Sequence, residues 1–286
     1  MLLPTLFLHG LVYGMLIFLV ASGLTLVMSM MDILNFAHAS IYMIGAFICY
    51  QIIQWTHSYW LALVAAPIVC AILGILIERV LIRRVYASGH VIQLLLTFGL
   101  AMVIMEVIKW IYGTNPLPVP VPSQLTKSVQ LWANVKYPAY RLFILALSGV
   151  VLAFLFYLIK RTRLGISIRA CVQDGDMARA LGTEVSVVFA AVMGIGTWLA
   201  GVAGVIAAPY LSVYAGMYND MILDCFAVIA VGGLGSLGGV LVASLIVGQV
   251  QSFGVIFLPT ISIILIYLVM VVVFILKPSG LFGKKE

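Results

Sequence analysis

The stretch 142–159, LFILALSGVVLAFLFYLI, decides the fold class, and the stretch 261–276, ISIILIYLVMVVVFIL, repeats its message. Both are unbroken apolar runs, not alternations of apolar and polar residues. A bilayer core needs roughly 20 apolar residues per helical crossing, and in lipid only helices and closed barrels satisfy every backbone N–H and C=O. Barrel strands alternate, so these runs predict an all-α, polytopic transmembrane helical bundle.

The rest of the chain agrees. It is 64% hydrophobic and 8% charged, with mean hydropathy +1.23, where a soluble domain carries roughly a quarter charged residues. Candidate spans are 4–30, 35–54, 59–82, 91–112, 140–159, 185–209, 221–234, 238–257 and 261–276, which predicts eight to nine crossings within a single domain, 1–286. The stretch 221–234 is short for a full span and reads as a possible half-helix. The first basic residue is Arg79, so no basic region precedes an apolar stretch as in a cleavable signal, and the first span is expected to stay. Cys49, Cys70, Cys171 and Cys225 form no CxxC pair or metal-ligand cluster with histidine; three of them lie in apolar segments and read as small core residues.

A net charge of +6 invites a nucleic-acid reading, but the basic residues gather at helix ends, which is how membrane topology is written. The expected surroundings are membrane lipid, with no nucleic acid. Three clusters should be cytoplasmic: Arg79, Arg83 and Arg84; Lys160, Arg161, Arg163, Arg169 and Arg179; Lys277, Lys284 and Lys285. An even number of crossings must separate the second from the third, which favours nine in all, with the N-terminus outside and the C-terminus inside. The loop 113–139 is then external, and its prolines at 116, 118, 120, 122 and 138 favour extended backbone. A cap that touches an external partner and a plain connector both fit it.

The inner stretch 161–184, RTRLGISIRACVQDGDMARALGTE, is the polar segment of an otherwise apolar chain. Asp174 and Asp176 come early and Arg179 late, which suits a helix dipole. Met177, Ala178 and Leu181 are spaced to share one face, and Gly182 is a fitting C-terminal cap. Such a short amphipathic helix could fill a groove on a soluble partner, or lie among lipid headgroups with its arginines on anionic lipid.

The run Asp176, Met177, Ala178, three residues, Gly182 resembles the EAA-type loop of bacterial ABC importer permeases, with Met177 in place of the first alanine. Three further stretches resemble the branched-chain amino acid permease family, of the LivH and LivM type: GLTLVMSMMDILNFAHASIYMIGAF at 23–47, VGGLGSLGGVLVASLIVG at 231–248, and KPSGLFGKKE at 277–286. With ERVLIRRV at 78–85 the similarity extends over nearly the whole chain and is closer to the LivH half. Ala39 stands where the family commonly has glycine. The resemblance implies that this chain is one permease subunit in the bacterial inner membrane. Its partners would be a second permease of the LivM type, two ATPase subunits that bind ATP and Mg, and a periplasmic substrate-binding protein. It also implies that 161–184 is the coupling loop, with 174–184 as its coupling helix, and that the solute is a branched-chain or related amino acid, with amides, urea and aromatic acids served by similar permeases.

Two places break the apolar pattern, 32–38 and 232–239. Discontinuous segments in corresponding positions point to a transporter pathway, because unwound backbone supplies polar groups within the membrane. Asn35, His38, Gly232, Gly233, Gly235 and Gly238 are therefore pathway candidates. A satisfied interhelical histidine and packing glycines are the plainer readings of the same residues. Glu106 and Lys109 should pair on one helix, and Glu78 reads as a local partner of Arg79 and Arg83. Almost every ionisable residue falls near a predicted helix end, which argues against an ion-coupled secondary transporter, since such a protein usually holds charge deep in the bilayer; Asp32 and His38 are the exceptions that keep this alternative open. No phosphate-cradling GxxxxGK[ST] occurs, so no catalytic role, cofactor or metal is assigned to this chain.

Overall fold

The structure is a computed structural model that describes residues 2–86, 88–132 and 135–283; Lys284 and Lys285 of the third basic cluster lie outside them. The described residues form a helical bundle. In chain order the helices are α1 (Leu2–Met31), α2 (His38–Thr56), α3 (Tyr59–Val80), α4 (His90–Tyr112), α5 (Ala139–Arg161), α6 (Arg163–Gln173), α7 (Gly175–Ala180), α8 (Val185–Leu211), α9 (Met217–Gly232), α10 (Leu237–Phe257) and α11 (Ser262–Leu276). Every expected span corresponds to a helix, but the expected eight to nine full crossings are not what length and composition support. Among the described residues, six helices are long and apolar enough to cross a membrane: α1, α3, α4, α5, α8 and α10. The reason lies in the other three, since α2 carries glutamines at 51 and 54 and is 19 residues long, α9 has 16 and α11 has 15.

The core is built around α1 and α8, whose apolar stretches are 83% and 67% buried against 22% for α4 and for α5. In the bilayer no hydrophobic force distinguishes helix from lipid, so helices associate by close packing at small residues. Accordingly α8 crosses α2 where a Cβ on Gly45 would come within 2.9 Å of Gly201, and one on Gly204 within 2.9 Å of the Ala46 nitrogen. Helix α10 runs antiparallel to α1, with Ser252 donating to the Leu6 carbonyl at 2.7 Å and Gly235 beside Ser29 at the far end. All four cysteines are free and buried, as the sequence reading expected of three.

The two ends differ in charge. At one end His9 meets Arg141, the Tyr59 and Tyr140 hydroxyls lie 3.0 Å apart, and Tyr112 donates to Gln51. The loop 113–139 folds over this end. Besides extended, proline-rich backbone it holds an antiparallel hairpin, β1 (Ser128–Trp132) with β2 (Val135–Pro138), and Leu117 bridges Val213. The hairpin departs from a purely helical expectation, because backbone above the helices must satisfy its own hydrogen bonds. The opposite end gathers the C-termini of α1, α3 and α5, the helices α6 and α7, and the segment after α11, and so the described basic clusters. Glu106 and Lys109 pair at 2.8 Å. Glu78 does not ion-pair with Arg79 or Arg83 among the described residues; it is fully buried and accepts from the Tyr86 hydroxyl at 2.5 Å. Burial first, then that hydrogen bond, pushes the Tyr86 phenol above its ordinary range.

Candidate functional site

The first break is a real discontinuity. Helix α1 closes at Asp32, which takes a left-handed conformation at φ 52° and donates its N–H to Met28. The chain then turns back into the bundle as irregular backbone. Thr97 of α4 donates to the Leu34 carbonyl at 3.1 Å, and the fully buried Asn35 accepts the Ala37 N–H at 3.1 Å while its amide reaches the Met193 sulfur of α8 at 3.8 Å. Thr97 and Met193 lie seven to eight residues into α4 and α8, so α2 starts about 10 to 12 Å inside the basic end. His38 opens α2, fully buried against Gly23 and near the Val20 carbonyl of α1, with neither ring nitrogen in a well-formed hydrogen bond. Asn35 and His38 are thus brought together in the interior, at a half-inserted helix end.

The glycine run is placed differently. Gly232 ends α9 and Ser236 caps α10 by accepting the Gly239 N–H at 3.1 Å, so the break lies at the basic end and not at mid-depth. Gly233 and Gly235 turn with φ of 94° and 79°, conformations that favour glycine. The segment after α11 docks here, with Leu281 N–H on the Val231 carbonyl at 2.8 Å and Phe282 N–H on that of Gly232 at 3.0 Å. A helix end otherwise leaves such carbonyls unpaired, and only residues without Cβ at 233 and 239 admit Gly283 and Phe282 this closely. Gly238 is exposed with open space around it. The two breaks do meet: Asp32, Ile33 and Leu34 of the first and Leu234 of the second line one groove of about 330 Å³ with Met28 and His90. His90 and Asp32 lie 3.6 Å apart at its exposed mouth.

A third polar place escaped the sequence reading. Helix α9 begins four residues earlier than the expected 221, so it includes Asp220 as well as Asp224. Asp224 is 8% exposed near the middle of α9 and accepts from the Tyr13 hydroxyl of α1 at 2.6 Å. Asp220, exposed, accepts from Tyr214 at 2.7 Å. The view that Asp32 and His38 are the only ionisable groups away from helix ends is therefore corrected. The available signal was two aspartates four apart in an apolar stretch, hence on one face.

The stretch 161–184 is two helices rather than one. Thr162 caps α6 by accepting the Gly165 N–H at 3.1 Å, and Ile168 and Cys171 turn inward; burial pushes the Cys171 thiol up. Asp174 caps α7 through the Met177 N–H at 2.9 Å, and Asp176 pairs with Arg179 at 3.2 Å. Gly182, at φ 88°, ends it with Gly182 N–H on Arg179 and Thr183 N–H on Ala178, both at 3.0 Å, a paired closure that glycine permits. The expected shared face is not found. Ala178 is 4% exposed and turned into the bundle, whereas Met177 is 57% and Leu181 80% exposed.

A central pair of helices packed at small residues, a helix interrupted within the bundle, and a structured polar element at the basic end together define a polytopic membrane protein of the transport type. The chain belongs to the family described as branched-chain amino acid transport system / permease component, whose model matches residues 6–274. It is 28% identical over 300 residues to the high-affinity branched-chain amino acid transport system permease protein LivH of Salmonella typhimurium, covering 97% of this chain and 94% of that one. Its identity to BraD, the corresponding protein of Pseudomonas aeruginosa, is 26% over 295 residues, covering 97% and 95%. A probable LivH of Methanocaldococcus jannaschii is 26% identical over 294 residues, covering 96% and 90%. No solved structure matches the chain.

Proposed function

We propose that this chain forms half of the translocation pathway of an ATP-driven importer for branched-chain or related amino acids in the bacterial inner membrane. The observation that carries the proposal is α7: a capped helix at the basic end that exposes Met177 and Leu181 on a chain of the permease family. Two large apolar side chains held in water are characteristic of a surface that is covered in the working assembly. The partners are a second permease of the LivM type, two ATPase subunits and a periplasmic binding protein, with ATP and Mg held by the ATPases. All nine longer helices cross or enter the membrane, with 161–184 and the C-terminus cytoplasmic and 113–139 periplasmic. Closure of the ATPases presses on α7 and shifts the bundle outward, so that solute enters between the two permeases, passes Asn35 and His38, and leaves by the groove where Gly232, Gly233, Gly235 and Gly238 form the turn.

Sidedness has a direct test, because the native cysteines are buried and Gln124 and Gln173 are exposed. Gln124→Cys should react with an impermeant thiol reagent in intact cells, and Gln173→Cys only after permeabilisation. The reverse pattern would overturn the topology.

Asp224, a buried carboxylate near mid-helix, favours an ion-coupled carrier instead. The energy source separates the two. Purified alone, the chain should neither hydrolyse ATP nor transport; with its partners in liposomes, uptake should require ATP and persist when sodium and proton gradients are collapsed. Uptake that follows an ion gradient without ATP would overturn the importer reading.

A further inference from the structure

Asp220 and Asp224 carry an unmet demand for positive charge. They stand four residues apart on α9, so their side chains are neighbours. Each spends its Oδ2 atom on a tyrosine, Asp224 on Tyr13 at 2.6 Å and Asp220 on Tyr214 at 2.7 Å, and neither Oδ1 atom has a hydrogen bond among the described residues. No basic side chain ion-pairs with either of them there.

Tyr42 of α2 is an independent sign. It is 1% exposed and lies within Coulombic range of Tyr214, Asp220 and Asp224, yet its hydroxyl makes no hydrogen bond with any described residue. A hydroxyl that has no protein partner on so enclosed a side chain is left for water or a ligand. Asn219, Asp220 and Leu223 form the open side of α9, and a carboxylate at this depth faces a water-filled path or protein, not lipid.

The geometry points to a cation subsite, in which Asp220, Asp224 and Tyr42 receive the ammonium group of an amino acid on its way through the bundle. The unpartnered acceptors, two carboxylate oxygens and one phenol oxygen, match in number the three N–H donors of a primary ammonium. Bound there, the substrate supplies the charge that the protein lacks, and a zwitterion is distinguished from a carboxylic acid of the same shape. The assignment rests on the importer reading above.

The test uses the complete importer in liposomes, with this chain as wild type, Asp220→Asn, Asp224→Asn or Asp220→Glu, and radiolabelled leucine as probe. The binding protein is the same throughout, so differences belong to this chain. Each asparagine variant should lose at least about 30-fold in leucine uptake, the size expected when one partner is removed from a charge pair that the bound substrate closes off from water. Asp220→Glu, which keeps the charge, should stay within about threefold of wild type. ATP hydrolysis stimulated by the loaded binding protein reports assembly and should persist in every variant. Should Asp224→Asn fail to assemble, the exposed Asp220 decides alone, since it packs no core. Wild-type uptake in the asparagine variants that assemble overturns the subsite. A wild-type complex that imports no leucine instead overturns the importer reading, and the subsite falls with it. Gradient-driven uptake would make the aspartates ion ligands and likewise overturns the ammonium assignment.

Discussion

An importer assembled with the Met177→Asp or Leu181→Asp variant is expected to move no substrate above background and to lose its ATPase subunits on purification, although the chain still inserts. Met177 and Leu181 are 57% and 80% exposed, so neither contributes much to the fold and substitution should leave α7 in place. Within an ATPase groove each would bury a large apolar side chain, worth about 1.5 to 3 kcal/mol. A buried, unpaired aspartate adds the cost of desolvating its charge, for a combined loss of about 3 to 5 kcal/mol. That corresponds to two to three orders of magnitude or more in affinity. Substrate uptake and co-purification of the ATPases are measured together. If α7 instead lay among lipid headgroups, an added acid would weaken only its attraction to anionic lipid, by about 1 kcal/mol per charge, and the ATPases would be retained at wild-type levels; that result would sink the docking role. Ala178→Arg, which the spacing alone recommends, is a poorer probe. Ala178 is 4% exposed, and an arginine there strikes the chain's own core before it reaches any partner.

The second large effect concerns the crossing of α2 and α8. Gly204→Leu should leave little or no correctly folded protein in the membrane, because the very first added carbon at 204 would press on the Tyr42 carbonyl and come within 2.9 Å of the Ala46 nitrogen. These are backbone atoms of a helix and cannot swing aside as a side chain would. Overpacking costs about 1 to 3 kcal/mol where neighbours can adjust, and here the two helices must separate along their length, so the loss should exceed about 3 kcal/mol. Gly149→Ala on α5 is the control. No atom lies within 4 Å of its added carbon, and alanine favours a helix by up to about 1 kcal/mol over glycine, so that variant should be as stable as wild type or slightly more. Yield and monodispersity in detergent, followed by thermal unfolding, compare the two. A Gly204→Leu protein that behaves like wild type would mean that α2 and α8 do not pack here.

Segment by segment, the residues themselves determined where the helices lie, because a run such as 142–159 has no other way to satisfy its backbone in lipid. They also placed the basic clusters at one end and the breaks at 32–38 and 232–239, since both signals are local in the chain. What each break is for depended on contacts between distant segments. The glycines at 233 and 239 admit a segment some forty to fifty residues further on, which places them at the basic end, whereas Asn35 is carried inward by Thr97 and Met193. Asp224 was in plain view, but its partner Tyr13 lies 211 residues away, and an aspartate in an apolar helix is not distinguishable by sequence from one at a helix end until the helix start is known. The direction of Ala178, Met177 and Leu181 was undetermined for the same reason. On a six-residue helix and its C-cap three residues can share a stripe by spacing and still divide between core and solvent. Which of them turns inward is decided by where the neighbouring helices α6 and α8 stand, and a periodicity carries no such direction.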